Sequence, residues 1–194
     1  MSRPYSYNPF VLIITMEVEE CIFSRRSVRA YQDKEVPEGD IRKILKAGAM
    51  APSAKNLQPV RYIVITNKEK IKELSGKVKE KLKQLGGKYE ERAETEEDIV
   101  FYGAPLLVLL VGNREKWTKV DCALAAENMM LQARDMGLGS CYIGFMNKIG
   151  DDRETLGALG IEEDQELYCP LIFGYPEEWP QEKERDPEVQ NWIK

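Results

Sequence analysis

Three short stretches of the chain concentrate residue types that can do chemistry. Arg25-Arg26-Ser27-Val28-Arg29 sets three guanidiniums and a hydroxyl side by side. Forked guanidiniums with a small hydroxyl suit a phosphate, through charge-assisted hydrogen bonds. The same residues also read as a solvated basic turn, and this motif alone does not choose between the two. Ala51-Pro52-Ser53-Ala54-Lys55-Asn56-Leu57-Gln58-Pro59 is longer than a helix-to-strand turn needs. Its bracketing prolines hold Ser, Asn and Gln between rigid ends, which suits a heteroaromatic ring edge that presents both donors and acceptors. Ser and Asn also serve as ordinary capping and turn residues. In Gly137-Leu138-Gly139-Ser140-Cys141-Tyr142-Ile143-Gly144, the last glycine lets a backbone N–H approach a planar ligand with no Cβ in the way. This stretch lacks the G-x-G-x-x-G spacing of a dinucleotide loop.

What is missing narrows the chemistry further. The chain has no histidine, which removes Ser-His-Asp and Cys-His hydrolases, His-ligated metals and imidazole acid-base catalysis. Cys21, Cys122, Cys141 and Cys169 are scattered and form no C-x-x-C pair, so no metal site is expected and the thiols read as small buried residues in a reducing cytoplasm. Hard chemistry in such a chain falls to a cofactor.

The elements that must position these stretches follow from periodicity. Residues 1–16, with Pro4 and Pro9, read as an extended arm, and residues 17–194 as one domain whose proline-bearing tail starts at Tyr175. A short helix is expected over Glu17–Ser24. A stronger one follows Pro37, with Ile41, Ile44, Leu45 and Ala49 on one face and Pro52 as its stop. Val60–Thr66 reads as a strand, and Lys68–Leu85 as a helix with Ile71, Leu74, Val78 and Leu82 as its stripe, ended by Gly86-Gly87. The charged segment Lys88–Asp98 reads either as a mobile lid or as a solvated helix face. Leu106–Gly112 is a continuous apolar strand expected at the centre of the sheet. Trp117–Met136 is a buried helix closed at Gly137, and Ser140–Ile143 and Leu167–Phe173 complete the strands. Since no regular βαβ alternation develops, a mixed α+β layer fold is expected.

The 194 residues suffice for a real core. A formal net charge of -5 argues against a phosphate-tracking nucleic-acid surface. The apolar run Phe10–Met16 is too short to span a bilayer, and it leads into Glu17, Glu19 and Glu20 rather than a cleavage site. No membrane partner is expected, and the cytoplasm is the expected location.

Taken in order, these segments resemble the nitroreductase family of FMN-binding proteins. The likeness rests on R-R-S-V-R, then A-P-S-A-K-N-x-Q-P after the next helix, F-Y-G-A-P before an apolar strand, G-L-G-S-C-Y-I-G, and G-Y-P followed by K-E-R. It covers nearly all of residues 17–186. The resemblance implies an α+β fold with helices around a mainly antiparallel sheet, and a homodimer that exchanges terminal segments with FMN between subunits. It assigns Arg25, Arg26 and Ser27 to the phosphate and ribityl end, Arg29 to the N1/O2 edge of the isoalloxazine, and Lys183 and Arg185 to the phosphate. Pro52, Ser53, Ala54 and Asn56 would come from the opposite subunit, with Ile143 and Gly144 near N5. Arg29 and Gly144 are then the catalytic pair.

The implied activity is reduction of nitroaromatic, quinone or similar electron-poor acceptors, driven by NADH or NADPH through a ping-pong route. A specialised flavin reaction such as reductive dehalogenation is the alternative, as is a flavin carrier without turnover. The Glu, Tyr and Lys trio of related iodotyrosine dehalogenases has only a faint echo in Tyr89 with Glu90 or Glu91.

Overall fold

The computed structural model describes residues 16–181 and 184–194. The arm read at residues 1–16 lies outside them except for Met16, and Lys183 lies outside them too. In chain order the elements are α1 (Val18–Ser24), α2 (Glu38–Ala49), β1 (Arg61–Ile65), α3 (Lys68–Gln84), α4 (Lys88–Ala93), β2 (Leu106–Asn113), α5 (Thr118–Asp135), β3 (Gly139–Tyr142), α6 (Arg153–Ala158) and β4 (Gln165–Gly174). Short 3-10 turns occupy Ala54–Asn56 and Gly144–Ile149. The strands form an antiparallel sheet in the order β1-β2-β4-β3, the α+β architecture expected.

The apolar run of β2 is explained by its place inside this sheet, with a core on each face. Leu107, Leu109 and Val111 enter one core with α3, while Leu106, Val108 and Leu110 enter the other with α2 and α5. Strand periodicity alone produces this division. On β4 the parity breaks: Cys169 belongs to the second core and Leu167 to the first, because a register shift opposite Leu110 and Val111 inserts one extra residue. A bulge of that kind turns a strand's faces over without any change in the hydrophobic pattern.

The stripe of α3 is as read. Leu74, Val78 and Leu82 are fully buried, each stabilising the fold by roughly 1.5–3 kcal/mol. Asn67 starts the helix by accepting a 2.7 Å bond from the Lys70 N–H, and Gly86 and Gly87 end it with φ of +70° and +56°. On α2 the inner face is Ile41, Ile44 and Gly48, and Ala49 is exposed, contrary to expectation. Gly48 is where α2 meets α5, since a Cβ there would lie 2.8 Å from Met129 Cγ. The close crossing selects the glycine.

The buried helix α5 ends as its sequence suggested, with Gly137 one place past the cap. The Gly137 N–H donates to the Arg134 carbonyl at 3.0 Å and the Leu138 N–H to Ala133 at 2.8 Å, with Gly137 at φ +73°. These are the two bonds of a Schellman ending. Helix α6 has no counterpart in the sequence reading. It is started by Asp152, which accepts from the Thr155 N–H at 3.0 Å and the Thr155 hydroxyl at 2.6 Å, and these bonds hold the carboxyl below its ordinary range, the hydroxyl contributing most.

The charged segment after Gly87 is a helix in its first half. Ala93 is buried and the Tyr89 ring meets Phe145 edge-on, 6.3 Å between centroids. In its second half Asp98 accepts from the Ser75 hydroxyl and from the Val100, Phe101 and Gly103 N–H groups. The solvated-helix reading is therefore the nearer one, with Tyr89 holding α4 against Phe145 and Asp98 tying the stretch after it to α3.

Candidate active site

Arg25–Arg29 leaves α1 as extended chain and adds to the edge of β3. Ser27 bridges Ser140 in parallel, and the Val28 N–H donates to the Ser140 carbonyl at 3.0 Å. Val28 turns inward and is buried, so Ser27 and Arg29 face the other way. Gly139 makes this docking possible, because a Cβ at that position would stand 2.7 Å from Val28 Cγ2. The buried Tyr31 hydroxyl ties the segment from the far side, donating to the Val28 carbonyl at 3.0 Å.

The guanidiniums are not equivalent. Arg25 pairs with Glu127 of α5 at 3.4 Å. Arg26 donates to the Phe23 and Arg25 carbonyls at 2.6 and 2.7 Å, which leaves its buried Nε without a partner. Arg29 is exposed and makes a single long bond, 3.3 Å, to the Ser27 carbonyl.

Beyond β3, a cavity of about 250 Å³ brings together Arg29, Ile143 and Gly144 with Arg92, Tyr102 and Phe145. No Asp or Glu lines it. Ile143 sends its side chain into the core and uses its own N–H on the Pro170 carbonyl at 2.9 Å. Gly144 opens the 3-10 turn, so its N–H has no acceptor within that turn. A Cβ on Gly144 would meet only the Tyr142 ring, at 3.7 Å. Neither packing nor backbone conformation therefore demands glycine here, while bare backbone facing a cavity suits a flat ligand. Tyr102 sits at φ +56°, a conformation a tyrosine rarely adopts, and the Asp98 bonds on either side of it hold it there. Burial pushes the Cys141 thiol up, with Arg29 and Ser27 offsetting part of the rise, so the one thiol in the cavity wall is no thiolate nucleophile.

Pro52, Ser53, Ala54 and Asn56 lie elsewhere in the chain. Pro52 and Ser53 line a smaller cavity with Tyr62 and Asp121, and no residue lines both cavities. The Ala54 N–H donates to the buried Asp121 carboxylate at 3.1 Å. Lys55, Asn56 and Gln58 all have left-handed φ, from 49° to 55°. The Gln58 N–H donates to Ser53 Oγ at 2.9 Å and its side-chain amide to Asn56 Oδ1 at 3.1 Å. The loop thus docks on the first turn of α5, whereas Ser24 docks on the last, accepting from Arg134 at 2.9 Å. From Asp121 to Arg134 the helix axis advances about 20 Å.

The tail returns to the basic segment. The Gln32 N–H donates to the Tyr175 carbonyl and the Glu177 N–H to Ala30, at 2.9 and 3.1 Å, and the Arg134 guanidinium stands 4.1 Å from the Trp179 ring centre. Arg185 is exposed further along this tail. Sequence reasoning missed Asp121, Arg92, Tyr102 and Phe145. Only the F-Y-G-A-P match touched one of them, and it gave Tyr102 no role.

Residues 22–175 match the nitroreductase family model. A protein of Archaeoglobus fulgidus, provisionally named NADH dehydrogenase/NAD(P)H nitroreductase, is 31% identical over 170 residues, which span 83% of this chain and 88% of that one. The NADPH-flavin oxidoreductase of Vibrio harveyi is 27% identical over 184 residues, 87% of this chain and 69% of its own. Among solved structures, a nitroreductase with bound FMN from Bacteroides fragilis matches with a TM-score of 0.82 at 35% identity, covering 92% of this chain and 98% of that one. By sequence and by fold, the chain belongs to the nitroreductase family.

Proposed function

We propose that the chain is an FMN-dependent oxidoreductase that takes electrons from NADH or NADPH and passes them to small nitroaromatic, quinone or similar electron-poor acceptors in two alternating half-reactions. The observation that carries this reading is the docking of the Arg25–Arg29 segment against the strand that delivers Gly144, which sets cationic groups and bare backbone along one ligand-sized track. The residues present fit the cofactor. A buried Arg26 Nε lacks an acceptor, which a phosphate or ribityl oxygen would supply, and Gly144 leaves space where a ring would lie. Bound FMN would supply the two-electron chemistry that this histidine-free chain lacks.

In this scheme Arg25, Arg26 and Ser27 hold the phosphate and ribityl end, joined by Lys183 and Arg185 of the tail. Arg29 faces the N1/O2 edge, where a fixed cation favours the reduced, anionic form. The Gly144 N–H points toward N5, and Ile143 fixes its position through the core. Pro52, Ser53, Ala54 and Asn56 act on the flavin of a second copy, a reading supported by the loop and Arg29 lining separate cavities of one chain. A homodimer also accounts for the exposed apolar side chains of α1 and of α5 with its cap, where Trp117, Val120, Leu124, Ile22 and Phe23 are all more than two-fifths exposed.

The test is the purified protein itself. A yellow preparation that releases FMN, bleaches on anaerobic mixing with NADH or NADPH and sediments as a dimer supports the reading. A colourless protein that cannot be reconstituted ends it, and a stable monomer retaining stoichiometric FMN ends the shared-site part.

A further inference from the structure

From the cavity beside Gly144 we infer that the acceptor is an acid: an electron-poor aromatic ring carrying a carboxylate or comparable anionic group, which Arg92 selects. This rests on the flavin reading above, and it deepens it by naming the substrate class. Two guanidiniums, Arg29 and Arg92, line the cavity, and no carboxylate does. The acids adjoining Arg92 on α4, Glu90 and Glu91, are exposed and line no part of it. Among the described residues Arg92 forms no ion pair. In a chain of net charge -5, an unopposed pair of cations in one small recess sets up a local field that attracts anions.

Arg29 has a partner in the flavin scheme, and Arg92 has none. Its guanidinium instead stands over Phe145, 5.4 Å from the ring centre, a cation–π contact that takes up none of its N–H donors. Phe145 is held in turn by Tyr89, and Ala93, the residue after Arg92, is buried at the end of α4. The charge is therefore positioned by packing. A planar acid entering beside Gly144 finds an aromatic edge, the Tyr102 phenol and a fork suited to a carboxylate, an arrangement that a neutral quinone leaves largely unused. The nicotinamide donor also carries anionic groups, so the test separates the two sources.

The experiment compares 4-nitrobenzoate with 4-nitrobenzamide, near-isosteres that differ in charge, on the FMN-loaded protein and on Arg92→Gln and Arg92→Lys. Dissociation constants are read from the perturbation of the oxidised flavin spectrum with no donor present, so that neither turnover nor donor binding enters. The protein should bind the acid more tightly than the amide. Arg92→Gln should lose that preference by about tenfold, the scale of a charged hydrogen bond discounted for exposure. Arg92→Lys should keep part of it, and amide binding should be unchanged in all three proteins. Equal affinity for acid and amide in the unaltered protein overturns the proposal, as does an acid preference that survives Arg92→Gln. A changed KM for NADH or NADPH in Arg92→Gln with an unchanged acid-to-amide ratio would assign Arg92 to the donor and overturn it too. FMN affinity, titrated first, keeps the layers apart: loss of FMN in Arg92→Gln alone makes Arg92 a cofactor ligand, whereas no FMN uptake by any form fails the underlying reading and this inference with it.

Discussion

The Arg25–Arg29 segment and the Ala51–Pro59 loop are both rich in polar groups, yet they are held by opposite means. The first is main-chain structure: it bridges β3, buries Val28 and depends on the absence of a side chain at Gly139. The second has no ladder to join. It keeps three left-handed residues in place through its own side chains and one buried carboxylate, Asp121. Each left-handed non-glycine residue costs on the order of 1–3 kcal/mol, so this loop is poised where the segment is rigid. A rigid half suits the fixed charge of a phosphate. A strained half suits a surface completed by a second copy.

The largest break in that comparison comes from Gly139→Val, which forces branched carbons into Val28. Overpacking of this kind costs typically about 1–3 kcal/mol. Thermal denaturation should show the loss, and FMN affinity should fall with it because the whole segment moves. If melting and FMN affinity are both unchanged, the segment is not held as described. Asp121→Ala should do the reverse: removing the buried acceptor of the Ala54 N–H costs roughly 1–3 kcal/mol, but the loop should leave its docked form. Dimer affinity and FMN retention should then fall further than global stability does, with Asp121→Asn restoring most of both.

Arg29→Ala sharpens the comparison within the rigid half. The group it is proposed to face gains charge only on reduction, so the midpoint potential should drop by some tens of millivolts, about 30 mV per 1.4 kcal/mol for two electrons, with little change in binding of oxidised FMN. An unshifted potential with weaker binding would make Arg29 another phosphate ligand. Lys183→Ala with Arg185→Ala should weaken FMN binding several-fold, as the loss of charge-assisted phosphate contacts does, and leave turnover near normal in excess FMN, since phosphate contacts are uniform across the reaction. The smallest effect serves as a control away from both regions. The depressed Asp152 carboxyl lends α6 stability that is complete above the ordinary value of 3.8 and is lost as pH falls below it. Asp152→Ala should lower the melting temperature slightly at neutral pH, where the cap bonds are intact, and the difference from the unaltered protein should shrink as pH falls below about 3.8.

Much of this was legible in the sequence wherever one residue's neighbours decide its fate. The α3 stripe, the β2 run and the Gly137 ending follow from local periodicity and turn chemistry, and Arg29 and Gly144, which the family resemblance put at one site, line one cavity. What was hidden depends on contacts distant in sequence. Ala49 and Gly48 exchange places because Met129 leaves room for neither a Cβ nor a gap. The extra residue on β4 carries no compositional mark. Lys55, Asn56 and Gln58 adopt a backbone that nothing in their types requires. Arg92 sits in a segment whose composition reads as solvent-facing, and only Phe145, far along the chain, gives it a direction.

The four thiols, each buried and unpaired, make the chain its own set of opening reporters. Cys21 lies in α1, Cys122 in α5, Cys141 in β3 and Cys169 in β4, so a thiol reagent can reach each only when that element parts from its neighbours. Labelling should reach Cys21 on its short amphipathic helix first. Cys141 should stay silent until β3 and the segment zipped to it separate. The order of modification would therefore rank the elements of this fold by local stability in the unaltered protein, with no engineered probe.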